Sequence, residues 1–105
     1  MITIPAESTG LLVIEGAIKY NEVVELQRAL ETLVKRSTSA VRIKLDECTF
    51  MHSTAITVLL EAHIELERQD RDLVLVQPST TVRKLISLAN LNQVFNFSTE
   101  IIGSD

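Results

Sequence analysis

A short segment in the middle of the chain brings two hydroxyl groups and an imidazole together. It reads Phe50-Met51-His52-Ser53-Thr54-Ala55 and stands where an apolar periodicity typical of a helix begins. Serine and threonine are favoured helix N-caps for structural reasons alone. An imidazole at a helix start can also accept a phosphoryl group, as in phosphocarrier proteins. From the residues alone, both a plain cap and a phosphate site at this position stay open.

The composition is that of one ordinary soluble domain. The chain has 105 residues, 46% of them hydrophobic and 23% charged, with a net charge of -4. We expect a single domain over residues 1–105, since this length buries one core but not two. Lys and Arg are scattered, so the basic stripe that nucleic acid or an anionic membrane requires is missing, and neither is an expected partner.

The single cysteine and the N-terminal segment bear on the compartment. Cys48 has no second cysteine with which to form a disulfide or a zinc site, which fits a reducing cytoplasm. The N-terminus shows no basic region followed by an apolar run, and no stretch approaches the roughly 20 apolar residues of a membrane span. We therefore expect a cytoplasmic protein with no direct membrane insertion.

Alternation and short apolar runs predict five strands. Residues 2–4 and 11–15 form an antiparallel start closed by Gly16, and residues 41–45 alternate with polar side chains, which indicates one buried and one polar face. Residues 73–76 are a fourth strand and residues 94–97 an edge strand.

Helical spacing predicts three helices between these strands. The first begins at Asn21 as N-cap and ends near Arg36; the second is capped by Ser53 or Thr54 and runs to about residue 69. The third opens after Pro78 at Ser79 or Thr80, with a left-handed residue expected at Asn90. The order β-β-α-β-α-β-α-β predicts an α/β fold with a mixed, mostly parallel sheet and helices mainly on one face.

Three loops should meet at the carboxyl edge of this sheet, where open α/β sheets bind their ligands. They cover residues 17–21, 48–55 and 77–81. The candidate partner-binding residues all lie in these loops: Lys19, Tyr20, Asn21, Met51, His52, Ser53, Thr54, Ala55, Gln77 and Ser79.

The second half of the chain resembles the STAS domain, shared by anti-sigma factor antagonists and the cytoplasmic tails of sulfate transporters. Asp46, Phe50, Met51, Ser53, Thr54 and Ile56 stand on the family's pattern of an Asp, a short spacer and Phe-Ile/Met-Asp-Ser-Ser/Thr-Gly-Leu at a helix start. The stretch from Leu73 to Leu85 matches a second family motif, and the first half matches more loosely through its order of elements.

The resemblance implies a switch rather than an enzyme or a cofactor-binding protein. Antagonists of this family bind an anti-sigma factor that is also a serine/threonine kinase, and phosphorylation of the hydroxyl at the helix start ends the binding. Alignment of the motif places that hydroxyl at Thr54, with Ser53 beside it. The kinase would supply the ATP, and this chain only the acceptor.

The chain also departs from the family's motif. The usual Asp before the hydroxyl pair is His52, the usual Gly after it is Ala55, and the first loop carries Lys19 where many antagonists have an acid. Two alternative hypotheses therefore remain besides the phosphorylated antagonist. One is an unphosphorylated STAS scaffold in a signalling or transport complex, and the other is a phosphocarrier that uses His52.

The remaining reactive side chains have simpler explanations. His63 falls on the apolar side of the second helix and predicts a histidine at the core edge, not a metal ligand. Cys48 has no identifiable cationic neighbour that would make it a nucleophile. Glu61, Glu65 and Glu67 are most simply a solvated helix face.

Overall fold

The computed structural model describes residues 1–6 and 10–99. In chain order, the elements of this part are β1 (Ile2–Thr3), β2 (Leu11–Ile14), β3 (Gly16–Ile18), α1 (Val23–Arg36), β4 (Val41–Lys44), β5 (Cys48–Met51), α2 (Ser53–Arg68), β6 (Leu73–Val76), α3 (Thr80–Leu88) and β7 (Asn96–Ser98). One 3-10 turn over Tyr20–Glu22 precedes α1.

The strands of the main sheet are those that apolar patterning predicts. Their order is β1-β2-β4-β6-β7, and every neighbouring pair is parallel except β1 with β2. This confirms the mostly parallel sheet and its antiparallel start. The edge strand β7 lies two residues later than predicted, because residues 91–95 first turn back on the end of α3 with Phe95 buried.

One face of the sheet carries the core. Leu12, Ile43 and Leu75 lie side by side in register, and all three are fully buried beneath the helices. On the opposite face Arg42 is exposed and Lys44 is half-buried. The alternation along β4 thus determines which face of the sheet the helices cover. The prediction that the helices lie mainly on one face is confirmed.

The end of α3 is the Schellman turn that the sequence indicates. Asn90 has a left-handed φ of 60°, and its N–H donates to the carbonyl of Ser87 at 2.9 Å. The N–H of Leu91 donates to the carbonyl of Ile86 at 3.0 Å, which satisfies another carbonyl of the last turn. The chain is thereby directed from α3 towards β7.

The start of α1 differs from the prediction. Asn21 is not the N-cap, because residues 20–22 form a 3-10 turn and Glu22 takes the cap position. The side chain of Glu22 reaches back one turn, where its Oε1 accepts from the N–H of Lys19 at 3.1 Å. The predicted end of this helix at Arg36 is confirmed.

A second, two-stranded sheet lies where two loops were expected. β3 and β5 pair in parallel, with Ile18 opposite Met51 and Ala17 opposite Phe50. Gly16 separates β3 from β2: its φ is +77°, a conformation that glycine adopts without strain, and the register shifts at this residue. The segments 17–21 and 48–55 are therefore partly strand, and backbone hydrogen bonds hold them together.

Gly10 is required by a close approach of two backbone segments. A Cβ at this position would lie 2.7 Å from the carbonyl oxygen of Ala40 and 3.2 Å from Oγ of Ser37. We therefore expect Gly10→Ala to lower the free energy of unfolding by about 1–3 kcal/mol through overpacking. Urea denaturation measures this, with the exposed Thr38→Ala as control; equal midpoints for both variants would contradict the assignment.

Candidate partner-binding site

The first and second predicted loops meet through the β3–β5 pair. Beyond the paired residues, the N–H of His52 donates to the carbonyl of Ile18 at 2.8 Å. Two residues after Ile18, the ring of Tyr20 packs edge-on against the imidazole of His52, with 5.5 Å between ring centroids. Residues from both loops thus form one continuous surface.

Ser79 joins the third loop to the second. Its Oγ donates to the carbonyl of Cys48 at 2.6 Å and accepts from the N–H of Val82 at 3.2 Å, so it caps α3 as predicted. The residue before Pro78 is Gln77, which has a left-handed φ of 48° and donates its N–H to Ser98 at 2.7 Å. This turn changes the direction of the chain between β6 and α3.

The N-cap of α2 is His52, so the prediction that Ser53 or Thr54 caps this helix is wrong. Nδ1 of His52 accepts from the N–H of Thr54 at 3.1 Å. The carbonyl of His52 accepts from the N–H groups of Ala55 and Ile56 at 2.9 and 3.2 Å. The imidazole therefore does what a carboxylate or hydroxyl oxygen usually does at this position.

This bond defines the state of the imidazole. Only an unprotonated Nδ1 can accept a hydrogen bond, so the capping form of His52 is neutral and carries its proton on Nε2. Nε2 is consequently the ring nitrogen that is not committed to the helix.

The two hydroxyls are the first residues of α2. Ser53 is exposed and Thr54 is half-buried, and neither hydroxyl has a hydrogen bond in the part of the chain that the structure describes. Within the same part, the N–H of Ser53 donates to no acceptor, whereas that of Thr54 is bound by His52. Ser53 thus offers an accessible hydroxyl and a free amide at the positive end of a 16-residue helix.

Exposed apolar side chains surround this helix start. Tyr20 is 69% exposed, Phe50 41% and Leu88 72%. A shallow depression of about 390 Å³, here called the edge groove, lies between the start of α2 and the last turn of α3. Its lining comprises Phe50, Met51, His52, Ser53, Ile56, Leu85, Leu88 and Ala89. A large exposed apolar surface of this kind is typical of a protein-binding region.

The structure divides the remaining predicted site residues into surface and support. Lys19 and Asn21 are exposed beside Tyr20. Ala55 is fully buried and supports the surface from beneath, whereas Met51 is 1% exposed and lines the edge groove. Gln77 is half-buried, and the hydroxyl of Ser79 is committed to the α3 cap.

The last turn of α3 was not predicted to be part of the site. Leu85, Leu88 and Ala89 line the edge groove but lie outside the three loops in which the site residues were predicted. The signal available in the sequence was Leu88, a large apolar residue. Only the packing of α3 against β5 reveals that it faces the start of α2.

The other reactive side chains are structural. Burial raises the pKa of the Cys48 thiol, so it stays protonated at neutral pH and is no nucleophile. His63 is 5% exposed and packs edge-on against Phe95, with its Nε2 at 3.5 Å from Glu67. Among residues 1–6 and 10–99, no cluster of three metal-ligating side chains and no helix capable of crossing a membrane is found.

The capping role of His52 predicts a specific difference between two substitutions. His52→Ala removes the acceptor and should lower the free energy of unfolding by about 1 kcal/mol relative to His52→Asp, which keeps one. Both variants lose the ring contact with Tyr20, so urea denaturation of the pair isolates the cap. Equal stabilities of the two would contradict a capping imidazole.

Solved structures with the same fold include anti-sigma factor antagonists. The anti-sigma factor antagonist SpoIIAA in its unphosphorylated form aligns with a TM-score of 0.77 at 21% identity, over 95% of this chain and 90% of that one. An anti-sigma factor antagonist from Mycobacterium paratuberculosis aligns with a TM-score of 0.80 at 16% identity, over 96% and 86%. The phosphorylated form of SpoIIAA from Bacillus aligns with a TM-score of 0.70 at 20% identity, over 95% and 93%.

A search of curated protein sequences finds no match. The model of the STAS domain family, in contrast, matches residues 4–101, which is nearly the whole chain. Together with the order of strands and helices described above, this match shows that the chain belongs to the STAS domain family.

Proposed function

We propose that this protein is an anti-sigma factor antagonist-like regulator that binds a serine/threonine kinase-type anti-sigma factor. Its docking surface is the rim formed by Lys19, Tyr20, Phe50, the start of α2 and Leu88. Phosphorylation of a hydroxyl at the start of α2 controls the docking.

The exposed hydroxyl at the helix start carries this proposal. Ser53 and Thr54 have no hydrogen-bonding role for their hydroxyls in the described residues, and Ser53 lies in the edge groove. A phosphate there would carry nearly two negative charges at a helix N-terminus that tolerates them. SpoIIAA, which shares the fold, occurs in an unphosphorylated and a phosphorylated form.

The choice between the two hydroxyls rests on two different arguments. Alignment with the family motif selects Thr54. Exposure favours Ser53, because a kinase must surround the acceptor oxygen and Thr54 is half-buried. We propose both hydroxyls as candidate phosphate acceptors, and the masses of the two alanine variants distinguish them.

The partner must bind a largely apolar rim that offers it no carboxylate. The exposed ring of Tyr20 is an anchor group of the kind that contributes most to protein interfaces, and Phe50 and Leu88 add exposed apolar area beside it. We propose that the chain acts as one domain over residues 1–105 in the cytoplasm, without enzymatic activity or a cofactor of its own. The partner holds the ATP.

An unphosphorylated scaffold is the second candidate function. His52 and Lys19 replace two acids of the family motif, and those acids are associated with productive recognition by the kinase. The same rim would then hold a partner permanently within a signalling or transport complex.

A phosphocarrier using His52 is the third candidate, and the cap argues against it. Nδ1 already accepts from the N–H of Thr54, so only Nε2 could take a phosphoryl group. Acid treatment separates this reading from the first, because phosphohistidine hydrolyses in acid whereas phosphoserine and phosphothreonine persist.

Intact-mass measurement tests the phosphorylation directly. The protein is incubated with ATP and each purified kinase-type anti-sigma factor of its own organism. We expect a gain of one phosphoryl group that survives acid and disappears in Ser53→Ala or in Thr54→Ala. Thr57→Ala, one turn further along α2, is the matched control and should be phosphorylated like wild type.

The other outcomes assign the protein elsewhere. An acid-labile gain retained in both alanine variants indicates His52. No gain with any kinase, together with a stable complex, indicates the scaffold.

A charge at the acceptor should weaken docking without unfolding the protein. We expect Thr54→Asp and Ser53→Asp to bind the anti-sigma factor about tenfold or more weakly, because a mismatched interfacial charge costs several kcal/mol. Thr54→Asn and Ser53→Asn control for shape, and isothermal titration measures the affinity. Wild-type affinity in both Asp variants would exclude a charge switch at this helix start.

A further inference from the structure

A second apolar groove runs along the outer surface between α1 and α2, and it is called the helix groove below. Its floor consists of Leu30 and Val34 from α1 and Val58 and Ala62 from α2, and its volume is about 380 Å³. Val34 and Ala62 are half-buried, so part of this apolar floor is open to solvent. The rim is polar and consists of Gln27, Glu31, Lys35, Glu61, Glu65 and Gln69.

The shape of the helix groove fits another helix. α1 and α2 each connect parallel strands on the same face of the sheet, so they run side by side in one direction. The lining extends from Gln27 to Lys35 and from Val58 to Gln69, which is roughly 12–16 Å at 1.5 Å per residue. An occupant of about two to three helical turns matches this length.

The rim of the helix groove is acidic. Glu31 on α1 and Glu61 on α2 stand on opposite walls, and neither has a hydrogen bond or ion pair within the described residues. Glu65 is bound by Nη1 of Arg68 at 3.5 Å and Nε2 of Gln69 at 3.1 Å. Three carboxylates thus face one cation, Lys35, among the lining residues.

The charge pattern selects the occupant. A helix with an apolar stripe bordered by Lys or Arg on both sides would bury the stripe on the floor and pair its cations with Glu31 and Glu61. A second copy of this chain fits poorly, because a twofold interface would place these acids against the same acids.

We propose that the helix groove binds a basic amphipathic helix of a partner protein. This surface is separate from the rim proposed above, since the helix groove and the edge groove share no lining residue. Either proposal can therefore fail without the other.

The probe is a synthetic peptide of about three helical turns, with leucines on one stripe and lysines on both borders, carrying a fluorophore. We expect saturable binding to the full chain by fluorescence anisotropy, weakened by added salt. In NMR titrations the shifted amides should be those of Leu30, Val34, Val58 and Ala62. A peptide with the same composition but a scrambled stripe should not bind.

Charge reversal at the acidic residues of the helix groove supplies the matched test. Glu31→Lys should weaken peptide binding about fivefold or more, and the double variant with Glu61→Lys about tenfold or more, since each change replaces an attraction by a repulsion. Glu25→Lys makes the same change on the opposite face of α1 and should bind like wild type. All three positions are exposed, so the fold should tolerate them.

Three results would overturn the proposal. They are equal binding by Glu31→Lys and Glu25→Lys, equal binding of the scrambled peptide, and amide shifts confined to the edge groove. The peptide titration uses neither kinase nor ATP, so its outcome does not depend on the proposed switch.

Discussion

The pairing of β3 with β5 determines where the candidate site of this protein lies. Its last backbone bond, from His52 to the carbonyl of Ile18 at 2.8 Å, ends one residue before α2 begins. His52 is held there in an extended conformation, and the chain turns directly into the helix. The same pairing carries Tyr20 onto the imidazole. The hydroxyl of Ser53 is therefore positioned by backbone hydrogen bonds of its neighbours, and it has no hydrogen bond of its own among the described residues.

The sequence predicts the main sheet and the helices well because their apolar periodicities extend over enough residues to be recognised. The small sheet has no such pattern: β3 is three residues long, and along β5 Cys48 and Met51 are buried while the two residues between them are exposed. Its pairing joins segments distant in the chain, which no local propensity reports.

The cap of α2 was missed for another reason. Ser and Thr are preferred caps, whereas histidine caps only in its neutral form with Nδ1 directed at the helix, and this orientation is visible only in the folded structure. Lys19, Tyr20, His52 and Ser53 could be found on the rim from sequence, but Leu88 depends on how α3 packs.

His52 also explains how this chain departs from the family motif while it keeps the family fold. An Asp at the N-cap offers an acceptor oxygen and a negative charge, and the neutral imidazole offers the acceptor alone. The start of α2 is therefore preserved while the surface beside it loses a charge. With Lys19 exposed nearby in place of another acid, this rim presents the apolar side chains of Tyr20, Phe50 and Leu88 in place of those carboxylates.

α2 exposes two surfaces of different character, and this separates what each can bind. Its N-terminus has a free amide, an exposed hydroxyl and apolar neighbours, whereas its outer wall carries Glu61 and Glu65 above an apolar floor. A cationic helix attracted to the outer wall finds no carboxylate among the residues that line the edge groove, and an apolar anchor that fits the edge groove meets charged walls in the helix groove. Charge therefore discriminates between the two occupants by penalising the wrong pairing as well as favouring the right one. Under the two proposals, α2 presents a different set of lining residues to each partner.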